Sequence, residues 1–137
     1  MSTVYDEITL TNAGDVADCE RGYIKESEVR QVTMRVCADT GADTLIINEA
    51  TRAVLGLLIE GPAEVWLADG QRPGCDVTEP VEVHWKDRRM TCEPWLIANA
   101  PEVLLGAIPL EEMDITVDCK GQRLIGAHGE KQLRRVR

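Results

Sequence analysis

Phenylalanine is absent from the chain, and aromatic residues make up only 4% of it. A core without large rings must come from Val, Leu and Ile, a composition that favours strands. Histidine is scarce, with only His84 and His128. The five cysteines (Cys19, Cys37, Cys75, Cys92, Cys119) include no Cys-x-x-Cys pair. These shortages argue against a zinc site, so no metal is expected. The odd cysteine count and an N-terminus lacking a charged and then apolar leader pattern predict reduced thiols packed as small hydrophobes in the cytoplasm. No apolar run approaches transmembrane length. Basic excess is lacking too. The formal charge is −9, which disfavours nucleic acid and anionic membrane as partners. The exception is the basic tail at 126–137, where Lys131, Arg134, Arg135 and Arg137 cluster.

What is present suits one domain over 1–137, with its core at about 30–125. Residues 4–11 alternate apolar and polar and read as a strand, followed by a turn at 12–15 and a polar, acidic stretch over 15–28, expected as a loop or a poorly ordered hairpin. A second strand covers 29–38, and a third, short and apolar, covers 45–47. Asn48 is placed to cap a helix over 50–55 that Gly56 ends. Residues 64–67 read as a strand leading into an Asp69-Gly70 hairpin turn. Strands are further expected at 77–85, 90–97, 103–105, 115–117 and 122–125, with a turn at 86–88 and a short helix over 109–113. About nine short strands and two short helices make an all-β barrel or sandwich.

The chemistry concentrates at Val36-Cys37-Ala38-Asp39-Thr40-Gly41-Ala42-Asp43-Thr44-Leu45-Ile46-Ile47. Two apolar strands bracket a tight turn that carries one carboxylate. Gly41 allows close backbone approach, and the Thr40 hydroxyl can bond backbone groups. A carboxylate fixed this way is a candidate acid/base group. About 60 residues downstream lies Val103-Leu104-Leu105-Gly106-Ala107-Ile108-Pro109-Leu110. No Ser or Cys nucleophile is paired with a base.

Together the two segments resemble the retroviral-type (retropepsin-like) aspartic proteases, in particular the small single-domain bacterial type. The resemblance implies an all-β, closed or barrel-like acid-protease fold with one or two short helices, acting as a homodimer. It implies an endopeptidase that uses water and no cofactor on a peptide or protein substrate. Asp39, Thr40 and Gly41 become the catalytic loop. Ala42 and Asp43 would contact substrate, and Asp69 and Gly70 would tip the covering flap. The chain holds a single Asp-Thr-Gly, so the required pair of carboxylates must come from two subunits. Residues 115–117, with 122–125, are expected at that interface. One departure stands out. Retroviral enzymes follow the downstream Gly with an Arg that pairs with the carboxylate aligned to Asp43, and here that position is Ala107. The alternative is a catalytically silent, dimeric peptide- or protein-binding module of the same fold.

Ala42 carries a consequence of its own. A Ser or Thr there would donate a hydrogen bond to the Asp39 carboxylate and favour its charged form, which Ala cannot do. Cleavage is therefore expected to peak at mildly acidic pH. A pH–rate profile with its maximum at strongly acidic pH would refute this.

Overall fold

The computed structural model describes residues 3–63 and 74–128. The long hairpin of β1 (Val4–Asn12) and β2 (Gln31–Ala38) forms its spine, in antiparallel register from Val4↔Ala38 to Thr11↔Gln31. The remaining strands are β3 (Leu45–Ile47), β4 (Ile59–Pro62), β5 (Asp76–Thr78), β6 (Val81–Trp85), β7 (Arg88–Cys92), β8 (Trp95–Leu96), β9 (Leu104–Leu105), β10 (Ile115–Asp118) and β11 (Arg123–Gly126). Among the described residues, nine of the eleven strands form one sheet in the order β4-β5-β8-β3-β9-β2-β1-β6-β7. The sheet curls over a core of Val4, Ile8, Leu10, Val36, Leu45, Ile47, Val81, Val83, Leu105 and Met113. Trp85 is the aromatic in that core, and its ring N–H donates to Asp6. Among the described residues, β10 and β11 pair only with each other, as a separate hairpin.

Helix α2 (Glu49–Leu55) forms as its sequence signals require. Asn48 accepts a hydrogen bond from the Thr51 N–H at 3.0 Å, and Gly56 closes the helix at φ 63°, in the left-handed region open to glycine. Helix α3 (Ala107–Glu112) starts two residues before the predicted 109–113. Pro109 stands third in it, where a missing N–H costs nothing.

Three expectations are corrected. Residues 12–15 are not a plain turn, and 15–28 is not simply a loop. Helix α1 (Ala13–Glu20) occupies this stretch, followed by a 3-10 turn at Glu26–Glu28. Asn12 caps α1 by accepting the Asp15 N–H at 3.0 Å, while its own amide donates to the Leu55 carbonyl at 2.8 Å. The buried Asp15 carboxylate takes the Arg30 N–H and two guanidinium N–H groups at 2.8–3.0 Å. The helix lacks an apolar stripe, and these polar contacts stand in for one.

The single strands expected over 77–85 and 90–97 are each two. Pro80 separates β5 from β6, and Pro94 separates β7 from β8. Each proline lacks the donor a ladder needs. The breaks are also where the chain changes ends of the sheet, since β5 and β8 pair with each other while β6 and β7 lie beyond β1. Arg88, expected in a turn, instead opens β7 with only 2% exposure, its guanidinium donating to Asp87 and lying over the Trp85 ring.

All five cysteines are free, with Cys37 and Cys75 buried and Cys119 exposed. Among the described residues, no helix is long and apolar enough to cross a membrane. The predicted 64–67 strand, the Asp69-Gly70 turn and most of the basic tail lie outside the described residues.

The Asp15–Arg30 contact sets an acid limit on stability. Hydrogen bonds from Arg30 hold the Asp15 carboxyl below the usual carboxylate range, against the opposing effect of burial. A lowered folded value means the stabilisation is complete above about pH 4, the unfolded value. It is lost as pH falls through the folded value. Asp15→Asn should cost about 1–2 kcal/mol at neutral pH, a charge-assisted hydrogen bond discounted for the half-exposed Arg30. Urea titrations at pH 7 and pH 3 check this, since the gap between wild type and variant should shrink at the lower pH.

Candidate active site

The Asp39 loop joins β2 to β3, and β9 lies between those two strands. Its pairing with β2 is parallel (Cys37↔Leu104, Ala38↔Leu105) and with β3 antiparallel (Leu45↔Leu105, Ile46↔Leu104). Two further bonds lock the entrance: the Cys37 N–H to the Val103 carbonyl and the Asp39 N–H to the Leu105 carbonyl, both 3.0 Å. The backbone that carries the carboxylate is thus fixed by a strand remote in sequence.

The loop itself is a tight turn. The Ala42 N–H reaches the Asp39 carbonyl at 3.1 Å, and the Gly41 N–H donates to Asp39 Oδ1 at 2.9 Å. A Cβ on Gly41 would stand 3.1 Å from that oxygen, so glycine keeps the backbone close to the carboxylate. Asp39 is half-buried, and Thr40, Gly41 and Asp43 are exposed.

Beneath the loop, Gly106 makes the closest approach. A Cβ there would fall 2.3 Å from the Thr44 carbonyl oxygen and 2.7 Å from both the Ala42 oxygen and the Thr44 nitrogen. All three are backbone atoms with no room to yield. Just past Gly106, α3 begins. Its first free N–H groups, on Ala107 and Ile108, donate to the Ala42 and Asp43 carbonyls at 2.8 and 2.9 Å. The helix start thereby finds partners for donors it cannot bond internally, and the loop gains a floor.

Behind Asp39 packs Cys37, 4% exposed. Burial, with the nearby Glu102 and Asp39 charges, pushes its thiol above the ordinary range, so it stays a neutral packing group. Tyr5, opposite Cys37 in the register, donates to Glu102 at 3.3 Å just before β9.

The structure brings Asp39, Thr40, Gly41, Ala42 and Asp43 together on one loop. Asp69 and Gly70 lie outside the described residues. The Asp43 main chain is held by α3, but its carboxylate has no hydrogen-bonded partner among the described residues. Ala107, standing where the retroviral pattern has an Arg, contributes its backbone N–H. Sequence reasoning assigned Gly106 no site role, although Leu104-Leu105-Gly106 was its signal. The Tyr5–Glu102 contact had no signal, being a pairing of residues 97 apart. Among the described residues, no cluster of His, Cys, Asp or Glu could hold a metal ion.

Replacing Gly106 with Ala should lower stability by about 3 kcal/mol, the upper end for overpacking, because backbone must move. Urea denaturation of the variant checks this, and an unchanged midpoint would contradict the close approach.

No protein-family profile and no curated protein matches the chain. Solved structures do. The retroviral protease-like domain of Ddi1 from Leishmania major is 15% identical and aligns over 91% of this chain and 88% of its own, with a TM-score of 0.56. The EIAV protease complexed with the inhibitor HBY-793 is 24% identical over 58% of this chain and 75% of its own, at a TM-score of 0.45. A retropepsin-like aspartic protease from Rickettsia conorii is 14% identical over 86% and 89%, also at 0.45. The Leishmania domain, alike over nearly the whole of both chains, carries the assignment: this chain has the fold of the retroviral-type aspartic proteases.

Proposed function

We propose that the chain is one half of a homodimeric aspartic endopeptidase. The observation that carries this reading is the Asp39 loop. One carboxylate is held by backbone bonds at an exposed turn, within the fold of the retroviral-type aspartic proteases. A single carboxylate cannot do this chemistry. Two of them, placed together, cannot both ionise easily and come to share a proton; the aspartic-protease dyad is the standard worked case of that splitting. The two Asp39 side chains would meet on a two-fold axis. One removes a proton from the attacking water, while the protonated partner hydrogen-bonds the scissile carbonyl. The resulting tetrahedral species then collapses with proton transfer to the leaving amine.

Thr40, exposed beside Asp39, would bond across the axis to the partner loop. Gly41 would offer backbone to the substrate, and Asp43 would bind its main chain. The flap role of Asp69 and Gly70 belongs to the same proposal. The axis also fixes which face meets the partner. A groove beside Thr40, walled by α3 and β10, must lie against it, and the β10–β11 hairpin offers strand edges there. Five free cysteines fit a reducing, cytoplasmic setting. A silent dimeric binding module remains the second reading, favoured by Asp43, whose carboxylate lacks the arginine partner of the retroviral pattern.

The test is cleavage of a diverse peptide library from pH 4 to 8 by wild type and by Asp39→Asn, with mass followed by sedimentation. Wild type should cleave as a dimer, and the variant should lose activity on the order of a thousand-fold or more. A stable dimer that cleaves nothing would favour the binding module. Cleavage that survives Asp39→Asn would overturn the mechanism.

A further inference from the structure

The groove beside Thr40 holds about 320 Å³ and is lined by Ala107, Leu110, Glu111, Asp114, Ile115 and Val117 among others. It combines apolar walls with two carboxylates. Asp114 is the unusual member. It sits at φ 56°, between α3 and β10, where Asp is one of the few tolerated side chains. Its side chain is 11% exposed. One carboxylate oxygen takes His128 Nδ1 at 2.6 Å, and the other is buried with no hydrogen-bond donor among the described residues. A buried, half-satisfied carboxylate is costly and attracts positive charge.

The chain also leaves the described structure here. The Ala127 N–H donates to the Asp114 carbonyl at 2.9 Å, and Ala127 itself lines the groove. The next residues are 129–137, Gly-Glu-Lys-Gln-Leu-Arg-Arg-Val-Arg. Lys131, Arg134, Arg135 and Arg137 outweigh the lone Glu130, and Leu133 and Val136 are apolar. Nine residues can span about 30 Å when extended, so the segment can turn back over the groove it starts from. Its mixture of cations and aliphatic groups complements a groove of carboxylates and aliphatic walls.

We propose that the basic segment 129–137 docks back into this groove of its own chain, covering the Thr40 face. Cations of the segment lie against Glu111 and Asp114, and Leu133 or Val136 enters between Leu110 and Val117. The docked segment and a second copy of the chain would compete for one face, so the tail restrains dimer assembly. That consequence rests on the dimeric reading above; the docking does not.

The test uses the full chain with Lys131, Arg134, Arg135 and Arg137 all changed to Ser, and a fluorescent peptide of residues 129–137. Anisotropy should report salt-sensitive binding of the peptide to this variant. Wild type, its groove already occupied, should bind at least about tenfold more weakly. Adding Glu111→Gln and Asp114→Asn to the variant should weaken binding by about tenfold or more; Asn tolerates the positive φ, and circular dichroism confirms folding. Sedimentation should find the four-Ser variant dimerising at lower concentration than wild type. Docking is overturned if the variant does not bind the peptide, if wild type binds it equally, or if the carboxylate changes leave binding unaltered. Weaker or unchanged association of the four-Ser variant would overturn the restraint. A chain that stays monomeric throughout would sink the dimeric reading, while the peptide result would still decide docking.

Discussion

The insertion of β9 between β2 and β3 is the constraint on which the site depends. Two strands that bracket a loop would ordinarily pair with each other. Here a third strand, arriving about 60 residues later, takes both inner edges. That leaves the loop no ladder partner of its own, and its backbone groups must be satisfied from below. The first N–H groups of α3 do so, and the close approach this needs leaves room at position 106 only for a residue without a side chain. The Asp39 backbone is thus held from β9 as well as by the bonds of its own turn. A carboxylate that is to act as acid or base has to be held within a fraction of an ångström of its working position. Backbone bonds to a buried strand are the stiffest available means.

The rest of the sheet serves that insertion. Pro80 and Pro94 end ladders and send the chain between the β4-β5-β8 end and the β1-β6-β7 end. The curl that results wraps aliphatic side chains around the underside of the loop. On the far side, Asn12, Asp15 and Arg30 join α1 to the C-terminus of α2 through directional polar contacts. A chain without Phe and with few aromatics has little large apolar area for such joints, and buried hydrogen bonds take over part of the role.

On the dimeric reading proposed above, the chain would hold half of a symmetric site. Its loop residues are arranged around one exposed turn, and the face beside it, between α3 and β10, combines apolar wall with the carboxylates of Glu111 and Asp114. The basic tail begins at that face. Assembly and activity would therefore be governed by the same small surface, through charge that is sensitive to ionic strength.

Much of this was legible in the residues. The Asp39-Thr40-Gly41-Ala42 turn between apolar strands, the cap and glycine stop of α2, and the aliphatic strand pattern are local signals, and local backbone preference fixed them. What the residues did not disclose depends on distant partners. Helix α1 has no apolar stripe and exists through Arg30 and Leu55. Arg88 looks like a turn residue and is buried with its guanidinium over the Trp85 ring. The sequence by itself thus determined where the carboxylate turn lies and that the fold is strand-rich, because periodicity and turn chemistry act over a few residues. Only the tertiary structure decided why Gly106 has to be glycine and what holds Asp39 in place. Those follow from backbone contacts between segments 60 residues apart, which no pattern of neighbouring side chains can encode.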